Sequence, residues 1–365
     1  MNPEAQHLFN DTQATFATSS AQTSFQVAMH SFLDGDGNPR PQRSTGKSPS
    51  SLSRFYNQAL WNLRTFNQHL QQTALSRILR ARNQARGQAR TVEAAVDLST
   101  LEKTGDFPDL PVSVFNAVLG LHLVVLYVMV GHERQPFSFA IWKGKGLASP
   151  VVLALALLRQ LKRALPDGIS VRVLADTGFG SGAFVDGGAK LGFHVVTGMP
   201  CDRTTVQGKR LDQLVMRGSR VDLTCCTTPV WVSWYRLKLK DGKFEWRYVV
   251  STKPAGGTTI SRWGRRRWLI EAFFKVMKSR FGLDQFGQRT LRGAIRFLLL
   301  AFLAFMLTAI SRTDLMMGVL PDWRCLALAL RRVLLSWLVA LKLELERESL
   351  EAASGLRCDF MRATA

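Results

Sequence analysis

Asp97 in AVDLST, Asp176 in VLADTGFGSG and Glu271 in RRRWLIEAFFKVMKSRFGL are the residues of this chain best placed to do chemistry, and all three are carboxylates. Asp97 follows an apolar strand-like run, and so does Asp176. Acids at the ends of neighbouring strands stand a few ångströms apart, and a helix packed across that edge can deliver a third. A set of three with no His or Cys offers only oxygen, which selects Mg²⁺ or Mn²⁺ over zinc. Two such ions, roughly 3.5 to 4 Å apart, activate an attacking oxygen and stabilise a leaving one in an in-line displacement at phosphorus. Each acid alone has a plainer use: Asp97 as a cap or turn residue, Asp176 as a turn aspartate before glycines, and Glu271 as a surface partner of Arg267 and Lys275. Their order and strand-end placement make the joint reading stronger than any one of them.

The segment around Glu271 is expected to be one amphipathic helix. At 3.6 residues per turn Arg267, Glu271, Lys275 and Lys278 share a face, while Leu269, Ile270, Phe273, Phe274 and Met277 form an apolar seat. A solvated helix ordinarily alternates signs to form ion pairs. One acid among Arg and Lys reads instead as a metal ligand beside phosphate-binding cations.

The whole chain shares that bias. Its 365 residues carry 48 Lys and Arg against 27 Asp and Glu, a formal net charge of +21, which points to a polyanionic partner. Nucleic acid is the first candidate. An anionic membrane is the competitor, supported only by apolar runs from Val112 to Gly131 and from Phe297 to Ile310. The second covers about 14 residues, short of the roughly 18 to 20 a bilayer requires, and fits a buried helix. The first thirty residues lack the compact apolar core of a secretory signal. Cys201, Cys225, Cys226, Cys325 and Cys358 show no C-x-x-C spacing, which suits a reducing cytoplasm.

Elements to hold the three acids are legible in the period. VEAAVDLST, HLVVLYVMVG and FSFAIWKGK read as strands, PVVLALALLRQLKRAL as a helix, ISVRVLADTGFGS as a strand, residues 181–191 as a short helix, and FHVVTGMP as a strand. This order predicts a mixed α/β sheet. Residues 1–50 are expected to be loosely structured, ending in the linker DGDGNPRPQRSTGKSPS; residues 51–90 to be a basic helical DNA-binding region; and 91–200 to be the first part of the catalytic domain. Residues 201–260, with the hairpin signal KDGK, are expected to be a β-rich insertion; 261–312 to complete the catalytic domain with the glutamate helix; and 313–365 to be a helical C-terminal region that assists dimerisation.

AVDLSTLEKTG, VLADTGFGSGAF and RRRWLIEAFFKVMKSRFGL, in that order with a β-rich stretch between the last two, resemble the DDE transposases of bacterial insertion sequences. The similar group carries its glutamate in Y-x2-R-x3-E-x6-K. Arg267, Glu271 and Lys278 match that spacing, and Gly264 stands at the Tyr position. The resemblance covers roughly residues 91–312. It implies an RNase H-like catalytic fold, two divalent ions on Asp97, Asp176 and Glu271, and cut-and-paste movement of a DNA element by Mg²⁺-dependent phosphodiester hydrolysis and transesterification. It further implies that Arg267 and Lys278, with Arg266 and Lys275 beside them, hold double-stranded DNA at the element ends. An aromatic among Trp231, Trp234 and Trp246 would stack on a flipped base. A homodimer in the DNA complex and a cytoplasmic, nucleoid-associated location are the matching expectations. The alternatives are an inactive DNA-binding descendant of such an enzyme and another RNase H-like nuclease.

Overall fold

The computed structural model describes residues 3–105, 107–239, 241–314, 322–343 and 346–347. The chain divides into two compact units: residues 1–69 together with 276–365, and Leu70–Lys275 as one continuous segment.

The first unit is helical. It contains α1 (Pro3–Ala14), α2 (Ser19–Phe32), α3 (Pro49–Asn57) and the start of α4 (Leu63–Gln84). Residues 1–50 thus differ from the loose segment expected of them, because their few apolar side chains converge. Phe9 and Phe25 lie 5.2 Å apart, Phe16 packs on Phe25 and Phe55, and each of these four rings is buried. Burying a phenylalanine contributes roughly 2 to 3 kcal/mol, enough to order a helix whose own polar composition would not hold it. The stretch 34–48 is short connecting chain with a single 3-10 turn at Pro41–Arg43, and α3 begins inside the expected linker.

The second unit is built on a nine-stranded sheet. Its strands are β1 (Val92–Glu102), β2 (Ser113–Phe115), β3 (Val118–Val130), β4 (Glu133–Trp142), β5 (Val171–Ala175), β6 (His194–Met199), β7 (Arg220–Val221), β8 (Val230–Lys238) and β9 (Phe244–Ser251). They lie in the order β2-β3-β1-β5-β6-β9-β8-β7, with β4 also paired to β3. β1, β5 and β6 run parallel, β3 and β4 antiparallel to their neighbours. Parallel neighbours need crossovers, supplied by α5 (Pro150–Ala164) and α6 (Gly182–Lys190), each started by a serine that accepts a backbone N–H. This is the expected mixed α/β, RNase H-like sheet. The β-rich stretch after residue 201 is a continuation of it, since β9 pairs with β6 from Val196↔Ser251 to Met199↔Tyr248. A second small core forms there around Val185, Met199, Leu211, Val230, Val232 and Val250.

Alternation gives the sheet two unlike faces. On one, Val92, Ala94 and Val96 of β1, Val171, Val173 and Ala175 of β5, Val195 of β6 and Phe193 just before it join Leu155, Leu158 and Leu161 of α5 in an apolar core. The other face carries Glu93, Asp97, Arg172 and His194, and Tyr127 of β3, on which Phe273 stacks at 4.7 Å.

Two helices follow β9: α7 (Gly257–Arg266) and α8 (Leu269–Phe281), the latter running across the unit boundary. The single helix expected here is broken at Arg267 and Trp268. Trp268, Ile270 and Glu271 each donate their N–H to the carbonyl three residues earlier, a 3-10 tightening that turns the chain between two α-helical stretches. Residues 70–84 of α4 also belong to the sheet unit. Leu75 and Ile78 enter the apolar core, and the buried Arg77 meets Glu133 of β4 in a two-pronged pair, Nε–Oε1 2.9 Å and Nη2–Oε2 3.0 Å.

α9 (Leu291–Asp314) and α10 (Trp323–Leu334) complete the helical unit. α9 is long and apolar enough to cross a membrane by length and composition, but 94% of that apolar window is buried within the protein. It is a core helix: Phe297 meets Phe32 at 4.9 Å and Tyr56 at 6.0 Å. Of the expected C-terminal helical region 313–365, residues 315–321, 344–345 and 348–365 lie outside the described residues, and so does Cys358.

Candidate active site

β1 and β5 pair in parallel from Val92↔Val171 to Val96↔Ala175, which makes Asp97 and Asp176 the residues that follow the last pair. Asp97 is not at a strand end. β1 continues to Glu102 because Leu98 to Glu102 keep pairing with β3 after β5 has turned away. Asp176 leaves the sheet, caps the 3-10 turn Thr177–Phe179 and accepts the Gly178 N–H at 3.0 Å.

Asp97 is 9% exposed, and its carboxyl is pushed up to about 7, first by burial and next by the Asp176 charge. Arg267 and the Leu98 N–H pull it down, and Glu271 adds to the rise. Arg267 bridges two of the three acids, Nη1 to Asp97 Oδ2 at 3.2 Å and Nη2 to Glu271 Oε1 at 2.8 Å. Its own side chain is 14% exposed, whereas that of Glu271 is 50% exposed. Among the described residues no three acids, histidines or cysteines stand close enough together to hold a metal ion. Asp97 and Asp176 nonetheless form an all-oxygen, like-charged pair of the kind that suits Mg²⁺, which takes one or two carboxylates and completes its shell with water and phosphate oxygens. The donor set fits that ion; the third carboxylate is turned to Arg267.

The other expected DNA-contacting residues fall at different places. Arg266 is half-buried and donates Nε to the buried Glu93 at 2.6 Å. Lys275 is exposed on α8, and Lys278, further along the same helix, is partly buried.

Around these acids lies a network the motifs did not announce. Glu93, paired in register with Arg172, accepts Arg172 Nη1 at 3.0 Å as well as Arg266. The Arg172 guanidinium lies 4.1 Å over the ring of Trp263 on α7, and His194 meets the same ring edge-on at 4.9 Å. His194 Nε2 contacts Ser251 Oγ at 2.8 Å. Burial, Arg172 and Lys253 hold the imidazole down to about 3, so it is neutral. This network fastens α7 to the sheet and so fixes where Arg267 begins. The signal for it was present: VEAAVD and VRVLAD each place a charged residue four positions before the aspartate, on the same strand face.

A cavity of about 230 Å³ adjoins two of the three acids, lined by Asp176, Tyr235, Arg247, Gly264, Arg267 and Glu271 among others. Tyr235 reaches it from β8. Gly264, at the signature's Tyr position, lies where α7 crosses β9; a Cβ there would stand 2.8 Å from Val249 Cγ2, so the close approach requires glycine. A second cavity of about 450 Å³ lies between β8 and α7. Its lining holds Arg217, Arg236, Arg262 and Arg265 with Trp234 and Trp246, and the Arg265 guanidinium lies 4.6 Å over Tyr235.

A comparison with solved structures finds a likeness to a piggyBac transposase in a synaptic complex with hairpin DNA. The TM-score is 0.53 at 11% identity, over 90% of this chain and 73% of that one, which is a likeness of fold. No curated protein matches significantly. The family model of the transposase DDE domain matches residues 119–307, more than half the chain, and takes in Asp176 and Glu271, with Asp97 lying before it on the strand beside. By that match the chain belongs to the transposases with a DDE domain.

Proposed function

We propose that the chain is a DNA transposase that cuts phosphodiesters at the ends of a mobile element and joins the freed ends to target DNA, with Asp97, Asp176 and Glu271 as its working carboxylates. The observation that carries this reading is the like-charged Asp97–Asp176 pair, set on the polar face of the sheet beside a cavity edged by Arg247, Arg267 and Tyr235. Like charges kept adjacent in a half-buried place raise each other's energy and call for a cation. Magnesium or manganese, two ions in the full assembly, would be held by the three acids and would supply activation of the attacking oxygen and neutralisation of charge at phosphorus.

The protein's own groups bind and align the substrate. The arginines around the two cavities meet the phosphodiester backbone, in keeping with the +21 charge. Trp234 and Trp246 offer ring faces to an unpaired base next to the scissile bond. Lys275 and Lys278 extend the cationic surface along α8. Cutting and joining would take place in a homodimer that pairs two element ends, on DNA in the cytoplasm.

The test is strand nicking of DNA carrying the element's own end sequence, with and without Mg²⁺. Cleavage by the wild type that is lost in Asp97→Asn, Asp176→Asn and Glu271→Gln, with DNA binding retained, supports the assignment. Undiminished cleavage in any one of these variants removes that residue from it.

A further inference from the structure

We propose that Arg267 is the built-in counter-ion of the carboxylate set: it holds the place between Asp97 and Glu271 that a divalent cation takes on loading, and its guanidinium must swing out before the cation can enter. The inference rests on the reading of Asp97, Asp176 and Glu271 as metal-holding acids.

One guanidinium contacts both Asp97 Oδ2 and Glu271 Oε1, at 3.2 and 2.8 Å, although the two acids sit on different elements. A divalent cation held by these carboxylates would need the oxygens that the guanidinium now occupies, so the two cations would compete for the same atoms. The backbone cannot carry the arginine away, because its neighbour Arg266 is fixed to the buried Glu93 and Trp263 lies under Arg172. The side chain can move alone. Arg267 lines the cavity of about 230 Å³ that also borders Tyr235 and Arg247, and this gives the displaced guanidinium a place to go. In the metal-free protein two of three acids are thereby satisfied. Once a cation has replaced it, the same guanidinium is free beside the site to meet a phosphate.

The experiment titrates Mn²⁺ into the full chain without DNA, by calorimetry and by the electron paramagnetic resonance of free Mn²⁺, in the wild type, Arg267→Gln, Arg267→Lys and Asp176→Asn. Arg267→Gln is expected to bind Mn²⁺ roughly tenfold tighter than the wild type, equivalent to about 1.4 kcal/mol, and to melt at a lower temperature when metal-free. Arg267→Lys keeps the charge but cannot span both acids, so its affinity should fall between the two. If both Arg267 variants bind Mn²⁺ no more tightly than the wild type while Asp176→Asn loses binding, the counter-ion role is wrong and the metal-site reading stands. If Asp176→Asn binds Mn²⁺ as the wild type does, the metal-site reading itself fails, and this role with it.

Discussion

Two pairs of residues, four positions apart along the same two chain segments, one within the parallel strands β1 and β5 and one where β5 has just ended, are treated in opposite ways. Glu93 and Arg172 face each other in register as opposite charges, and a second arginine, Arg266, closes on the same carboxylate. Asp97 and Asp176 follow at the other end as like charges. The first pair satisfies itself and serves to fasten α7. The second has no opposite charge between its own members: Asp97 draws its counter-charge from Arg267 at the break between α7 and α8, and Asp176 spends an oxygen on the Gly178 N–H. Location and secondary structure are nearly the same; the charge partner separates scaffold from site.

The largest effect that tests this contrast should come from the like-charged pair. Asp97→Asn or Asp176→Asn should lower DNA strand cleavage by roughly 10³-fold, measured in single-turnover nicking assays, because a charge-stabilising element at the reacting centre is worth that much. Metal-free thermal stability should hold or rise, since a repulsion is removed. Glu93→Gln should do the reverse. It leaves Arg172 and Arg266 without their carboxylate and should cost about 3 kcal/mol in urea denaturation, the scale of breaking a buried ion pair. Should Glu93→Gln leave stability unchanged, or Asp97→Asn unfold the protein, the division into scaffold and site would be misdrawn.

A smaller effect is read in the pH dependence of stability. His194 is held down to about 3 in the folded protein by burial, Arg172 and Lys253, while an unfolded histidine titrates near 6.5. Below about 6.5 the unfolded chain takes up a proton that the folded one refuses, so stability falls with pH, by at most about 1.4 kcal/mol per pH unit for this group. His30 in the helical unit, lowered to about 4 by burial and then Arg331, acts in the same direction. His194→Asn should flatten the dependence between about pH 6.5 and 5 in denaturation series, and an unchanged slope would show that the imidazole is not held neutral. The smallest effect belongs to an opposite pair in solvent. Glu245 and Arg247 on β9 form an ion pair at 2.7 Å with side chains 44% and 39% exposed, and Glu245→Gln should change stability by under about 0.5 kcal/mol, against the much larger loss for the buried Glu93.

Much of the sheet unit was legible because local patterns suffice for it. The strands β1, β3, β4, β5 and β6 and the helices α5 and α6 announce themselves by period and by Gly and Pro breaks, and strand neighbours bring Asp97 beside Asp176 without further information. What escaped depends on partners distant in sequence. Helices α1 and α2 are polar in composition, and their phenylalanines become core through rings on other elements, some as distant in sequence as Phe297 against Phe32. The pairing of β9 with β6 joins segments some fifty residues apart and makes a continuation of what composition alone marks as an insertion. No Gly or Pro in RRRW signals the break before α8, and a helix-surface reading sends Arg267 towards solvent and DNA, not onto Asp97.

The helical unit is assembled from both ends of the chain, with about 200 residues of sheet unit between them. During synthesis α1, α2 and α3 leave the ribosome long before α9 exists to cover Phe32 and Tyr56, whereas the sheet unit carries its own apolar core and can close as soon as its last strands emerge. The N-terminal helices therefore pass through a period of exposed aromatic surface. Chains truncated before α9 should be prone to aggregate, and chaperone dependence should be greatest in that interval of translation.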